Sequence, residues 1–94
     1  MNKSNKLDFA GQDIYIGLDT HLKSWRTSIV VGKIPFKTFS QDPCAETLKN
    51  YLTKNFPNGN YHSAYEASFS GFGVHRNLLN LGIKNILIQA MSLK

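Results

Sequence analysis

Ninety-four residues allow one small domain, which buries about 60–65% of the surface its unfolded chain exposes, and a hydrophobic share of 41% with six Phe, four Tyr and one Trp excludes a disordered polar chain. The formal charge of +5, eleven Lys or Arg against six acids, fits an anionic partner such as nucleic acid; the basic residues are scattered, so solvated lysines on an ordinary domain give the same sum. Cys44 is the single cysteine, which excludes an internal disulfide and a reducing compartment is expected, with no Cys/His pairing at zinc-ligand spacing.

No apolar run has the length of a signal-peptide core or a bilayer span, so the chain reads as cytoplasmic with no membrane partner. Residues 1–12 are polar, with Gly11 near their end, and read as a flexible leader; order is expected from Asp13, and 13–94 form the domain. Ile14, Ile16 and Leu18 alternate with Tyr15, Gly17 and Asp19, the period of two that a strand with one buried face requires. Trp25 to Val31 is rich in β-branched residues and leads through Gly32-Lys33 into a second extended run, Ile34 to Phe39, so the two read as an antiparallel hairpin. Pro35 has no amide hydrogen to give to a ladder, which sends that last strand to the sheet edge.

Asp42-Pro43 is a helix-start signal, because an Asp side chain accepts from free amides and proline is tolerated at the first helical position. Cys44, Leu48, Tyr51, Leu52 and Phe56 follow at three- and four-residue steps and predict a helix with one apolar stripe, stopped by Pro57-Asn58-Gly59. Tyr61 to Glu66 reads as a short strand and Ser68 to Gly71 as a loop. A second helix then carries Phe72, His75, Leu78 and Leu79 on one side, with Gly82 as the left-handed residue past its end. Ile83 to Ile88 is almost continuously apolar, as a strand covered on both faces would be. Strand–helix–strand connections cross over right-handed and make their strands parallel. The expected fold class is α/β: a mixed five-stranded sheet of three antiparallel strands, then two parallel strands reached through helical crossovers.

Of the six acids, four have plain structural explanations: Asp8 and Asp13 lie in or beside the leader, Asp42 caps a helix, and Glu46 sits in that helix's first turns, where the dipole favours negative charge. Asp19 and Glu66 remain. Each closes a predicted strand and shares its face with a small residue, Gly17 or Ala64, which leaves room for an ion or a phosphate. If the first and fourth strands are parallel neighbours, a spacing of about 4.8 Å lets the two carboxylates share a divalent cation. Two buried like charges are unfavourable without a cation or proton between them. Periodicity leaves a second reading open, in which the two acids are separate, solvated strand ends.

The stretch Tyr15-Ile16-Gly17-Leu18-Asp19-Thr20-His21-Leu22-Lys23-Ser24-Trp25, followed by Tyr65-Glu66-Ala67-Ser68-Phe69-Ser70-Gly71-Phe72 and Leu81-Gly82-Ile83-Lys84-Asn85-Ile86, resembles the start of insertion-sequence transposases of the DEDD class, the IS-one-ten type. The resemblance runs from about residue 13 to the end. It implies a ribonuclease-H-like domain of the Holliday-junction-resolvase (RuvC-like) version, with four acids in the order Asp, Glu, Asp, Asp that bind magnesium in a two-metal site. Asp19 matches the first acid and Glu66 the second. The third and fourth, which in the family come from a helix farther along, have no counterpart here, so a partial domain, truncated before its final helices, and an incomplete magnesium site are expected. The family's second domain, with its serine implicated in strand exchange, has no counterpart either. DNA, a structured guide RNA and further copies of the chain are the implied partners. The implied activity is magnesium-dependent cutting and joining of DNA phosphodiesters by the full-length parent, with little or none expected of residues 1–94 alone.

Lys23 and Arg26 follow the first acid closely and are candidate nucleic-acid contacts, with a solvated hairpin face as the plain alternative. Trp25 and Phe72 have the chemistry to stack on bases, yet their spacing fits core packing better. His21 is a candidate ligand or acid beside Asp19; His75 shares the apolar side of its helix and is expected to pack there, and Cys44, with no base partner in view, is assigned packing. Two other functions compete. An ATP-binding module of the actin and sugar-kinase type also ends its first strand in Asp, but its phosphate cradle wants glycines and hydroxyls. Thr20-His21-Leu22-Lys23 has one hydroxyl and no glycine, and Gly71-Phe72-Gly73 lacks the third glycine of a dinucleotide fingerprint. A non-catalytic, self-associating nucleic-acid-binding module fits the uncovered sheet that a partial domain would leave.

Overall fold

Residues that alternate between apolar and small or polar build the first half of the chain as sheet, and the apolar face of each strand decides where the helices settle. The computed structural model describes residues 8–67 and 73–89. Three strands come first, β1 (Asp13–Thr20), β2 (Trp25–Val31) and β3 (Ile34–Gln41); α1 (Ala45–Asn55), β4 (Asn60–Ala67), α2 (Gly73–Asn80) and β5 (Lys84–Gln89) follow. They make a five-stranded sheet in the order β3-β2-β1-β4-β5. β2 is antiparallel to both β1 and β3, whereas β4 is parallel to β1 and β5 parallel to β4. The α/β class, the mixed sheet and the order of elements are those the sequence predicts, with β3 and its Pro35 at an edge.

The core lies on one side of this sheet. Ile14, Ile16 and Leu18 of β1, Trp25 and Ile29 of β2, and Tyr61 and Tyr65 of β4 are buried in one cluster with Leu48 and Leu52 of α1 and Leu78 of α2. Both helices therefore cover the same face. The Tyr61 hydroxyl donates to the Phe56 carbonyl at 2.6 Å and ties the end of α1 to β4. At the end of α2, Gly82 at φ +83 lets its amide reach the Leu79 carbonyl at 3.0 Å and the Ile83 amide reach the Leu78 carbonyl at 3.0 Å. That pair of bonds, with buried Leu78 and Ile83 behind it, is a Schellman ending.

Several expectations change. The residue that caps α1 is Cys44 and not Asp42, and its side chain makes no cap bond. β3 runs on to Gln41, whose side-chain amide donates to the carbonyls of Asp42 and Cys44 at 3.1 and 3.2 Å and so fixes the entry to the helix. β5 is the other edge strand and has only one covered face: Ile86 and Ile88 are 67% and 49% exposed, so the run Ile83 to Ile88 does not mark a strand buried on both sides. Ordered contacts begin before Asp13, since the Phe9 ring meets Phe56 edge-on at 5.2 Å and its amide donates to the Pro57 carbonyl at 2.9 Å. Leu79 is exposed, and α2 rests on Leu78 with Val74 and Leu81 at its margin. The leader's residues 1–7, the loop expected at Ser68 to Gly71, and Phe72 lie outside the described residues. Among the described residues, no helix is long and apolar enough to cross a membrane.

Candidate functional site

Burying Ile14, Ile16 and Leu18 turns Tyr15, Gly17 and Asp19 to the opposite face, because side chains alternate along a strand. On β4, Tyr61, Ser63 and Tyr65 face the helices, and His62, Ala64 and Glu66 face away. β1 and β4 pair in parallel through Leu18 and Tyr65, so Asp19 and Glu66 are the next residues on neighbouring strands. The two sequence-predicted acids therefore leave the sheet side by side on its uncovered face, with about 4.8 Å between their strands.

The registers continue across this face in rows. At the level of the two acids stand Ser40 of β3, Arg26 of β2, Asp19, Glu66 and Ile88 of β5. One step inward come Thr38, Ser28, Gly17, Ala64 and Ile86, and beyond them Val30, Tyr15, His62 and Lys84. The middle row is low because its central residues are small; a Cβ added to Gly17 would meet nothing within 4 Å. The result is a shallow depression of about 420 Å³, walled on one side by the stacked rings of Tyr15 and His62, whose centroids lie 5.2 Å apart.

Charges on the face are unevenly paired. Asp19 Oδ1 lies 3.2 Å from His21 Nε2, and both side chains are mostly exposed. Arg26 stands directly across from Asp19 on β2, yet among the described residues neither Arg26 nor Glu66 takes part in an ion pair. Lys23 is exposed in the turn between β1 and β2. Trp25 is 4% exposed and belongs to the core, so it is no base-stacking surface. Cys44 Sγ donates to Glu46 Oε1 at 3.2 Å and takes no part in this face.

Two carboxylates supply hard oxygen donors of the kind a divalent cation such as magnesium takes while keeping several waters. Among the described residues, no group of three or more His, Cys, Asp or Glu gathers at metal-binding distance. The side chains thus fit a cation held by two protein ligands and water, and offer no full protein shell.

Sequence reading missed two clusters. His62 Nε2 donates to Asp13 Oδ1 at 2.9 Å, and this hydrogen bond, opposed by some desolvation, holds the Asp13 carboxyl below its ordinary range. On the helix side, Ser63 Oγ donates toward the Lys84 carbonyl at 2.9 Å and Asn85 Oδ1 at 2.7 Å, while Asn85 Nδ2 donates to His75 Nδ1 at 2.8 Å. The His75 backbone amide also donates to the Tyr65 hydroxyl at 3.0 Å. His75 is therefore hydrogen-bonded between α2, β4 and β5, where the sequence suggested apolar packing. A signal existed in the inward positions of the two strands, where polar Ser63 and Asn85 fall opposite each other.

No protein-family model matches this chain, and no curated protein matches it.

Proposed function

We propose that Asp19 and Glu66 are one half of a magnesium site in a ribonuclease-H-like, DNA-recombining domain, the amino-terminal part of a transposase of the IS-one-ten type that cuts and joins DNA phosphodiesters. The observation that carries this reading is the placement of both acids in successive register on β1 and β4, facing the same way from the uncovered side. The strand order β3-β2-β1-β4-β5, with β2 alone reversed among β2, β1, β4 and β5, supports it, being compatible with a ribonuclease-H-like sheet.

Bound metal ions would activate the attacking hydroxyl or water and stabilise the leaving oxygen at a phosphodiester. The protein's own part is positional. Asp19 lies at the end of the central strand, paired there with Arg26 of β2, and Glu66 sits on the adjacent strand beside it. Lys23 and Arg26 add positive charge next to the acids, where a DNA phosphate would lie. Guide RNA and further copies of the chain belong to the same proposal.

The test is manganese binding to residues 1–94, followed by water-proton relaxation. Wild-type protein binds Mn²⁺ weakly, and Asp19→Asn and Glu66→Gln each remove most of that binding. Two variants that bind as wild type does would reject the reading. One observation favours a non-catalytic, self-associating module instead, the exposure of Ile86 and Ile88 on an edge strand; sedimentation that finds dimers and no Mn²⁺ binding would select it. The ATP-binding alternative has no such support on this face.

A further inference from the structure

We infer that Asn58-Gly59 is a self-modifying site: the Asn58 side-chain amide is lost to attack by the Gly59 nitrogen, Asp8 holds that reaction back, and the product releases residues 8–12 from the turn after α1.

The fold dictates both members of the pair. Asn58 is exposed and sits at φ +68, a conformation that asparagine adopts more readily than most residues with a side chain. At the next position a Cβ would lie 3.0 Å from Cγ1 of buried Ile14 and 3.2 Å from the Phe56 carbonyl oxygen, so glycine alone fits without a shift of its neighbours. The turn therefore carries the sequence's one Asn-Gly step. In that step no side chain hinders closure of the second residue's nitrogen onto the first residue's side chain.

The chemistry needs only water. The Gly59 nitrogen bonds to Asn58 Cγ, its proton goes to the departing Nδ2 group, and ammonia leaves behind a cyclic imide. Water then opens the ring. Cleavage of the new Cγ–N bond leaves an aspartate at that position, and cleavage of the original peptide C–N bond leaves an isoaspartate whose chain runs through Cβ and Cγ.

In the intact protein both reacting groups are engaged. Asn58 Nδ2 donates to Asp8 Oδ1 at 3.2 Å, and the Gly59 amide donates to the Phe56 carbonyl at 3.2 Å. Asp8 Oδ1 is itself fixed by the Ala10 amide at 3.1 Å. Cyclisation turns the Asn58 side chain onto the Gly59 nitrogen, a motion the Asp8 bond opposes. Once the amide is lost, a second carboxylate faces Asp8 where a donor stood, and attraction becomes repulsion. The segment beside it is held to the turn by the Phe9 amide on the Pro57 carbonyl at 2.9 Å, by the Asn60 amide on the Gln12 carbonyl at 2.8 Å and by the Phe9 ring against Phe56. Its release widens the apolar depression between Phe9, Ile34, Phe36 and Phe56.

The experiment incubates residues 1–94 at mildly alkaline pH and maps the chain by mass spectrometry over time. Aspartate and isoaspartate collect at Asn58 ahead of Asn50, Asn60 and Asn85. Asp8→Ala speeds that conversion several-fold, whereas Asp8→Asn, which keeps an acceptor oxygen, reacts at the wild-type rate. Release is read separately, from hydrogen exchange of the Phe9 amide. Asn58→Asp, a residue type this backbone conformation also admits, lowers Phe9 protection several-fold at low salt, and added salt or a second change, Asp8→Asn, restores it. Equal conversion in wild type and Asp8→Ala, conversion spread evenly over the other asparagines, or unaltered Phe9 protection in Asn58→Asp overturns the inference.

Discussion

Glu66 follows Tyr65 as Asp19 follows Leu18, and because Tyr65 and Leu18 are register partners the two carboxylates are neighbours across a parallel strand pair. Like charges held this way repel unless something compensates them, and His21 lies beside Asp19 alone. In EDTA, Asp19→Asn and Glu66→Gln should therefore melt at or slightly above the wild-type temperature. Mn²⁺ should raise the melting temperature of wild type alone, since a ligand that binds only the folded state stabilises it. Equal responses of all three proteins in a thermal scan would show that the pair holds no cation.

Gly17 separates what the fold needs from what the face does. No atom lies within 4 Å of the place its Cβ would take. Gly17→Ala should fold normally and gain about 0.5 kcal/mol from reduced chain entropy. Gly17→Leu should also fold, yet fill the depression beside Asp19 and weaken oligonucleotide binding. Urea titration checks the first expectation and anisotropy the second; loss of folding in Gly17→Ala would contradict the open geometry.

Asn85 joins Ser63 on β4 to His75 on α2 through one side chain. Asn85→Ala removes a partner from each of two part-buried groups and should cost about 1–3 kcal/mol, read as a lower urea midpoint with unchanged slope. A shift near zero would mean that water replaces the amide at no loss.

The Asp13 carboxyl titrates below its ordinary value because His62 donates to it. A depressed folded-state value stabilises the fold above the unfolded value and stops doing so as pH falls through the folded one, so the contribution fades below about pH 4. His62→Ala should bring the Asp13 midpoint back toward the ordinary carboxylate range and narrow the stability difference from wild type in strong acid. The carboxyl carbon shift of Asp13, followed by NMR against pH, gives the answer directly; identical midpoints in both proteins would contradict it.

Local patterns in the sequence carry much of this architecture. The alternation Ile14, Ile16, Leu18 forecasts both β1 and the side on which Asp19 emerges, and Gly82 forecasts the end of α2. Adjacency of β1 and β4 is a long-range fact, reached through the crossover rule and not through any local signal. Asp42 misleads because its residue type suits a cap, yet Cys44 holds the cap position without a side-chain bond, and Gln41 fixes the approach by donating to the Asp42 and Cys44 carbonyls. Ile86 and Ile88 mislead for a different reason, since an apolar run looks the same whether its outer face is covered or open. The bonds from His62 to Asp13, from Ser63 to Asn85 and from Asn85 to His75 join distant segments of chain, and the polar residues at inward strand positions, Ser63 and Asn85, are the one local hint of them.

The most direct measurement is anomalous diffraction from crystals of residues 1–94 soaked in manganese. A peak between Asp19 and Glu66, within coordination reach of a carboxylate oxygen from each, is the expected result. Manganese bound at other acids, or two carboxylates directed apart with no density between them, would contradict a shared cation site on this face.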